Sequence, residues 1–433
     1  MADRTRVAIV GGGIAGLAAA AFAARAGAKV TLWERHSEAG GRARTRGDQG
    51  FAFNMGPHAL YQAGAAMKAL RELELDPPGA RPPTSGGLAY SGGRLHALPG
   101  GAVSLLATGL LGPLEKLELG RLLSRLPRID TRALVGTSLA NFLAAEVRSQ
   151  RVRDVVLAVV RVTSYSHAPG LIDAGAALDQ LALGLGLGVR YLHGGWERMV
   201  ESLAARAREA GAELRTGARV ERVVHQGAVE ALELADGERV PVDAVILALG
   251  PAEASALVDG GAHPFFASAP AHCVPVRAAC LDLGLRALPR PKQTFALGIE
   301  RPLYFSVHSA VARLAPEGAA LLQLARYLGP DEEPAREELD AEFEAMLDCI
   351  QPGWRAEVVT RRLMRDLVVT HDLPQAAHGG LRGRTAGAVG GIRNLWLAGD
   401  WVGPTGMLAD AAFASARAAA LAAAGGRAVR AAA

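Results

Sequence analysis

The stretch between residues 7 and 45 limits what this chain can fold into more than any other. A short apolar run at 7–10 leads directly into Gly11, Gly12, Gly13, Ile14, Ala15 and Gly16. An alanine-rich segment with helical character follows, and a second apolar run at 30–33 ends in Glu34. Strand, glycine turn, helix, strand and acid in this order form the βαβ unit that holds an adenine dinucleotide. Gly11 permits the tight turn out of the strand. Gly13 lacks a Cβ, so a pyrophosphate can approach the backbone, and Gly16 lets the helix lie close on the sheet. Ile14 and Ala15 open the helix, where unpaired N–H groups and the positive dipole end favour phosphate. Glu34 stands where a carboxylate can accept hydrogen bonds from ribose hydroxyls.

Arg35 follows at once, and Gly40, Gly41 and Arg42 come soon after. Two glycines and a cation make a flexible basic turn suited to a second pass across a pyrophosphate. A domain for nicotinamide dinucleotide alone does not need that second pass.

Residues 7–45 resemble the N-terminal signature of the FAD-dependent amine oxidase, phytoene desaturase and protoporphyrinogen oxidase superfamily. The resemblance implies FAD, with Glu34 on the ribose and Arg35, Gly41 and Arg42 in the turn beside the pyrophosphate. Gly56, Pro57 and His58 resemble the family's loop that reaches the flavin. Gly217 and Val220 match its Gly-x-x-Val strand, which implies adenine at the Val220 backbone. Gly399 and Asp400 end a strand expected at 394–398, and an alanine-rich helix is expected at 409–424. The resemblance implies that Asp400 faces the ribityl chain or the phosphates. It also implies that Met407 and Leu408 bring the helix N-terminus to the flavin N1–C2=O edge, which becomes negative on reduction. Ala411, Ala412 and Ala416 stand where the family usually has glycines. The fold implied is α/β: an FAD-binding, Rossmann-like domain of the glutathione-reductase type, formed by 1–76, 190–252 and 385–433. A discontinuous α+β substrate domain, with a mixed or antiparallel sheet plus helices, takes 77–189 and 253–384.

Length agrees, because 433 residues exceed one small core. Lys and Arg number 47 against 43 acids, a net charge of +4. That excess is too small and too dispersed for a nucleic-acid binder. Cys273, Cys280 and Cys349 form no Cys-x-x-Cys pair and no zinc-ligand spacing, so no metal is expected. Some related amine oxidases attach flavin through a C-terminal cysteine; with none after Cys349, the FAD is expected to be non-covalent. Sparse cysteines and a first strand at residue 7 point to a cytoplasmic protein without a leader. Richness in Ala, Arg and Gly points to a bacterial source. The run at 101–114 is apolar but broken by Gly109, Gly112 and Pro113. It falls short of the roughly 20 residues that span a bilayer. Buried packing is the expectation there, with peripheral membrane contact as the alternative.

The remaining pattern predicts a helix over 59–75, a hairpin turning at Gly92 and Gly93, and helices between 101 and 187. A Gly–Leu alternation at 181–188 reads equally as loop or helix end. A helix over 196–210 stops at Gly211. Strands are expected between 275 and 330 and around 356–369, with an acidic helix over 331–349 between them. The tail after Gly426 is expected to fray.

The chemistry implied is hydride removal from a C–H bond, with the protein supplying position, dryness and charge. Amine oxidases of the superfamily commonly place a lysine near the flavin. The strand expected at 276–283 has none, and Lys292 lies beyond it in a proline-rich loop. Aromatics are only 5% of residues, which argues against a cage for an ammonium group. Leu, Ala and Gly dominate 101–190, as suits a small apolar substrate. His58 and Tyr304 are candidates to touch substrate, whereas His167, His193, His308 and His371 look scattered. The reading is an FAD-dependent oxidoreductase acting on an apolar, polyene or isoprenoid-like substrate, as in phytoene desaturation. A flavin amine oxidase, a protoporphyrinogen-oxidase-like enzyme, a redox-neutral flavin isomerase and a flavin-loaded carrier remain alternatives. The electron acceptor and the catalytic residues are left open.

Overall fold

The computed structural model describes residues 4–430, with backbone alone for 269 and 426–430. The tail after Gly426, expected to fray, lies outside the residues described in full.

Five parallel strands form the first sheet, in the order Glu213–Thr216, Lys29–Glu34, Arg6–Val10, Ala244–Leu247 and Leu395–Leu397. Three of its strands are thus contributed by distant parts of the chain. The Ile14–Arg25 helix covers it, buried along nearly its whole length. Alanine gives this helix its propensity and its slim profile. The Leu408–Arg430 helix, also alanine-rich, packs against it. Small side chains on both let the two helices share a core with Leu17, Phe22, Met199 and Phe413.

The second large sheet has seven strands, in the order Val358–Thr370, Val276–Leu285, Ala320–Leu328, Leu303–Val307, Phe295–Gly298, Leu88–Ser91 and Arg94–Ala97. Every pairing is antiparallel except Phe295–Gly298 with Leu88–Ser91, so the sheet is mixed. The Arg336–Ile350 helix packs its Leu339, Phe343 and Leu347 against it. The Gln150–Ser164 helix belongs to another cluster with the sheet, and its buried Arg161 donates to the carbonyls of Gly298 and Ile299. A strand-end carbonyl is thereby satisfied by a helix side chain. A smaller antiparallel sheet joins Val220–His225, Val229–Leu234 and Arg239–Pro241.

Two expectations change and one open reading is decided. The segment 59–75 is not one helix: Leu60–Tyr61 forms a strand that pairs with Val189–Leu192, and the helix is confined to Ala65–Glu72. The helix starts only after Gly64, whose backbone is extended, and the Asp410 carboxylate accepts the Ala66 N–H at its first turn. The Gly–Leu alternation resolves as the end of the Ala174–Leu185 helix followed by a turn through Gly188, whose φ is +68°. The apolar run at 101–114 is not packed away. Leu110 and Leu111 are buried, but the Ala102–Ala107 helix buries none of its residues.

Candidate functional site

A cleft of about 690 Å³ opens at the C-terminal edge of the parallel sheet. Its wall begins at Gly11, Gly12, Gly13, Ile14 and Ala15. Gly11 leaves the strand at φ +108°, a conformation that L side chains rarely adopt. A Cβ on Gly16 would run into the Gly11 carbonyl oxygen, whereas one on Gly13 would meet no atom within 4 Å. Gly16 therefore serves helix–turn packing and does not line the cleft, and Gly13 leaves an open approach to the backbone. No side chain caps the Ile14–Arg25 helix, and no acid sits in its first turn. Its first N–H groups are thus left to an anion.

Glu34 is buried at the strand end. Its Oε2 accepts the Gly12 N–H at 2.7 Å and its Oε1 accepts the His36 N–H at 2.8 Å. The carboxylate therefore organises the glycine turn while still lining the cleft with Arg35 and His36. The second glycine turn docks directly on the first, the Gly40 N–H donating to the Gly12 carbonyl at 2.7 Å. Gly40 and Gly41 both have positive φ, +120° and +55°. This brings Gly41 and Arg42 onto the wall. Val220, with Ala218 and Arg219, lines the wall too.

Gly399 and Asp400 come from the other end of the chain. Asp400 Oδ2 lies 2.7 Å from Arg42 Nη2, and Oδ1 lies 3.0 Å from His371 Nδ1. Burial alone would raise the Asp400 pKa, but the Arg42 and His371 partners override it and hold the group well below the usual carboxylate range. Arg42 also donates to the Val369 carbonyl at 2.8 Å. His371, which looks scattered in the sequence, thus belongs to the site. Only chain folding could reveal it, because the Val358–Thr370 strand delivers it there.

Leu408 lines the cleft with φ +55°, at the start of the last helix. The Met407 side chain does not line it and is buried in the apolar core beside the second sheet. The backbone reversal at Leu408 sends the two neighbouring side chains to different places.

Around Gly56 the wall changes character. Met55, Pro57, His58, Tyr61, Tyr165, Trp196, Cys280 and Leu367 gather there. The hydroxyls of Tyr61 and Tyr165 donate to the carbonyls of Thr163 and Pro57, at 2.8 and 2.7 Å. His58 Nδ1 is 2.9 Å from the Gly56 carbonyl, and its ring meets Trp196 edge-on at 4.8 Å. Burial lowers its pKa, with Arg42 adding to the effect. Asp410 also lines the cleft; its Oδ1 accepts the Ala66 N–H at 2.7 Å, and burial pushes it up to about 6. Tyr304, expected to line a cavity, is instead buried, and its hydroxyl meets Ser306 and His308. Lys292 is exposed and absent from the cleft wall. The tyrosines are a signal that composition hides. Of six in the chain, Tyr61, Tyr165, Tyr191, Tyr304 and Tyr327 interact in one cluster.

A second cavity of about 250 Å³ is lined by Asp372, Gln375, His272, His378 and Arg384. Arg384 donates to the backbone carbonyls of Asp400 and Gly406, at 2.9 and 2.6 Å. Among the described residues no group of three or more His, Cys, Asp or Glu side chains is placed to hold a metal.

An uncapped helix end, a glycine turn open to backbone approach, a second glycine turn with a cation and a buried acid form a donor set suited to a dinucleotide pyrophosphate and ribose. With the parallel sheet these features define a dinucleotide-binding protein of the Rossmann-like class. The chain belongs to the flavin containing amine oxidoreductase family, which it matches over residues 14–423. Its cofactor is FAD. It is 29% identical over 279 residues to a phytoene dehydrogenase of Streptomyces griseus, covering 56% of this chain and 53% of that protein. The chain spans about half the length of the curated relatives it matches. Among solved structures, an oxidoreductase from Methanosarcina mazei superposes with a TM-score of 0.75 at 18% identity, over 96% of this chain and 99% of that one. Cyclohexylamine oxidase from Brevibacterium oxydans gives 0.73 at 17% identity, over 98% and 99%. At such identities the likeness is one of fold.

Proposed function

We propose that this enzyme removes a hydride from a C–H bond of a small apolar substrate of the polyene or isoprenoid kind, a desaturation. The observation that carries the reading is the wall around Gly56. It has no lysine, and its tyrosine hydroxyls are already bonded to backbone carbonyls. Apart from the His58 ring, the Cys280 thiol and the Asp410 carboxyl, what remains to face a ligand is ring, thioether and aliphatic surface. The matched phytoene dehydrogenase supports the same substrate class.

Bound FAD would supply the hydride acceptor. The residues that would hold it are Gly11, Gly13, Ile14, Ala15, Gly41 and Arg42 at the pyrophosphate, Glu34 and Arg35 at the ribose and Val220 at the adenine. Gly399, Asp400, Leu408, Gly56, Pro57 and His58 would border the remainder, non-covalently. Residues 1–76, 190–252 and 385–433 would form the cofactor domain, and 77–189 with 253–384 the substrate domain. Asp400 fixes the Arg42 cation, so the guanidinium is preorganised toward phosphate and needs no rearrangement on binding. The Leu408–Arg430 helix N-terminus offers positive potential to charge that develops beside it. Tyr165, Trp196 and Leu367 would exclude water and orient the substrate C–H, which is the protein's main task when no acid or base is required.

Amine oxidation is the second reading. Tyr61 and Tyr165, the two members of the tyrosine cluster that line the cleft, favour it, because ring faces attract ammonium groups. Anaerobic mixing separates the two. Acyclic polyene isoprenoids should bleach the flavin absorbance and give a product two hydrogens lighter. Bleaching by amines alone would overturn the proposal, and a product of unchanged mass would replace it with isomerisation.

A further inference from the structure

The uncharged segment between His96 and Glu115 emerges from the fold with part of its apolar surface outward. Val103 is 82% exposed and Leu106 75% on the Ala102–Ala107 helix, and Leu114 is 82% exposed and Leu117 54% on the Pro113–Arg125 helix. The two helices are held together. Lys116 Nζ donates to the Leu106 carbonyl at 2.7 Å, and Leu110 and Leu111 anchor the connection in the core. Four large aliphatic side chains on one short helical pair exceed the scattered exposure of an ordinary surface.

The charges beside them have one prevailing sign. Arg121, Arg125 and Arg128 are exposed on the same helix and the turn after it. Of the nearby acids Asp130 is exposed and accepts the Arg132 N–H, while the others are engaged with the fold. Glu115 accepts the Gly112 N–H and the Ser149 hydroxyl, and Glu118 accepts the N–H groups of Arg148 and Ser149. Glu146 is paired with Arg125 at 2.6 Å. Arg121 and Arg128 carry no ion pair among the described residues. An apolar tip bordered by unpaired guanidinium groups matches the interface of an anionic bilayer, where aliphatic side chains enter the acyl boundary and cations stay at the phosphates. No described helix is long and apolar enough to cross a membrane, which leaves attachment to one face.

We infer that the paired helices at 102–107 and 113–125 dock this enzyme on an anionic lipid surface. The inference stands on exposure and charge, and it holds whichever substrate the cleft takes.

The test is flotation of the flavin-loaded enzyme with phosphatidylcholine vesicles, with and without phosphatidylglycerol. The enzyme should float with the mixed vesicles, and less so at high salt. Val103→Ser with Leu106→Ser, or Leu114→Ser with Leu117→Ser, should each weaken binding by roughly tenfold or more. Arg121→Gln with Arg128→Gln should remove mainly the phosphatidylglycerol-dependent part. Retained flavin absorbance establishes that each variant is folded, since all six positions are on the surface. Failure of the wild type to float, or flotation indifferent to these changes, overturns the inference. So does a wild-type dimer, seen by equilibrium sedimentation, that the serine variants dissociate, because the face would then join two copies of this chain.

Discussion

Arg42 Nη2 lies 2.7 Å from Asp400 Oδ2, joining the second glycine turn to the segment that begins the last helix. Both groups also meet His371, Arg42 at 3.1 Å and Asp400 at 3.0 Å. A proton on His371 Nδ1 can be given only to Asp400, because a guanidinium accepts none. The carboxylate therefore sits between a fixed cation and a ring nitrogen that donates to Asp400 when protonated and accepts from Arg42 when not. Removing its charge should loosen the turn as well as one bond.

Asp400→Asn is accordingly expected to lower thermal stability and speed flavin release. The folded pKa is depressed below the unfolded value of roughly 3.9. The stabilisation is therefore complete above that value and is lost only as pH falls through the lower folded one. The cost of Asp400→Asn should be the same at neutral and mildly alkaline pH. About 1–3 kcal/mol is expected, since the bonds are charge-assisted and Arg42 is half exposed. Thermal unfolding followed by flavin fluorescence at several pH values checks both the size and the flatness.

Gly13 and Gly16 should fail differently. Alanine at Gly16 drives a methyl into the Gly11 carbonyl oxygen, so Gly16→Ala should destabilise the protein even without flavin, by about 1–3 kcal/mol or more. Alanine at Gly13 meets nothing within 4 Å. Gly13→Ala should leave the flavin-free protein as stable as wild type but weaken flavin binding, by an order of magnitude or more if the methyl stands in the phosphate path. Unfolding of the apoprotein and titration with FAD separate the two effects. Equal behaviour of the two variants would contradict the cradle.

The contrast shows why much of this fold was readable in advance. The βαβ unit is local: its glycines, alanine-rich helix and Glu34 fall within one short window, and each residue does its work against near neighbours. The hairpin at Leu88–Ser91 and Arg94–Ala97 is legible for the same reason. His371 is not legible, because its value comes from Asp400 and Arg42, brought in by other parts of the chain. The tyrosine cluster is hidden likewise: Tyr61, Tyr165, Tyr191, Tyr304 and Tyr327 sit on five different elements, so neither spacing nor a low aromatic content announces it. The segment at 102–117 misleads for another reason. Its apolar composition reads as core, but composition does not say which side of a helix has a partner.

Asp372 is a buried carboxyl in the second cavity. Burial pushes it up to about 7, against the Val274 N–H and the Arg384 charge, which act the other way. With the folded pKa above the unfolded one, the native state binds the extra proton, so this group's contribution to stability declines as pH rises from about 4 to about 7 and is flat beyond. Asp372→Asn should remove that slope. Its stability relative to wild type should grow across the same interval, by on the order of 2–4 kcal/mol. The difference between the two proteins is the quantity to measure, because His167 and His308, held by burial at about 4 and about 3, impose the opposite slope on both. A difference that does not vary with pH would show that Asp372 is ionised throughout.

Lys292 and Tyr165 offer the sharpest kinetic contrast. Lys292 is exposed and outside the cleft wall. Lys292→Met should leave flavin reduction by any active substrate unchanged within about twofold, because a distant exposed charge contributes little. Tyr165 lines the cleft and is locked twice, by its 2.7 Å bond to the Pro57 carbonyl and by a T-shaped contact with Tyr327 at 5.8 Å. Tyr165→Phe keeps the ring and loses one hydrogen bond, worth about 0.5–1.5 kcal/mol in stability, with little change in KM. Tyr165→Ala removes the wall itself and should raise KM roughly tenfold or more for an apolar substrate. If the substrate is instead an amine held over the ring, Tyr165→Phe should still be tolerated, but the loss in Tyr165→Ala should shrink at pH values where the amine is neutral. The pH dependence of that one variant therefore separates apolar burial from attraction of a cation.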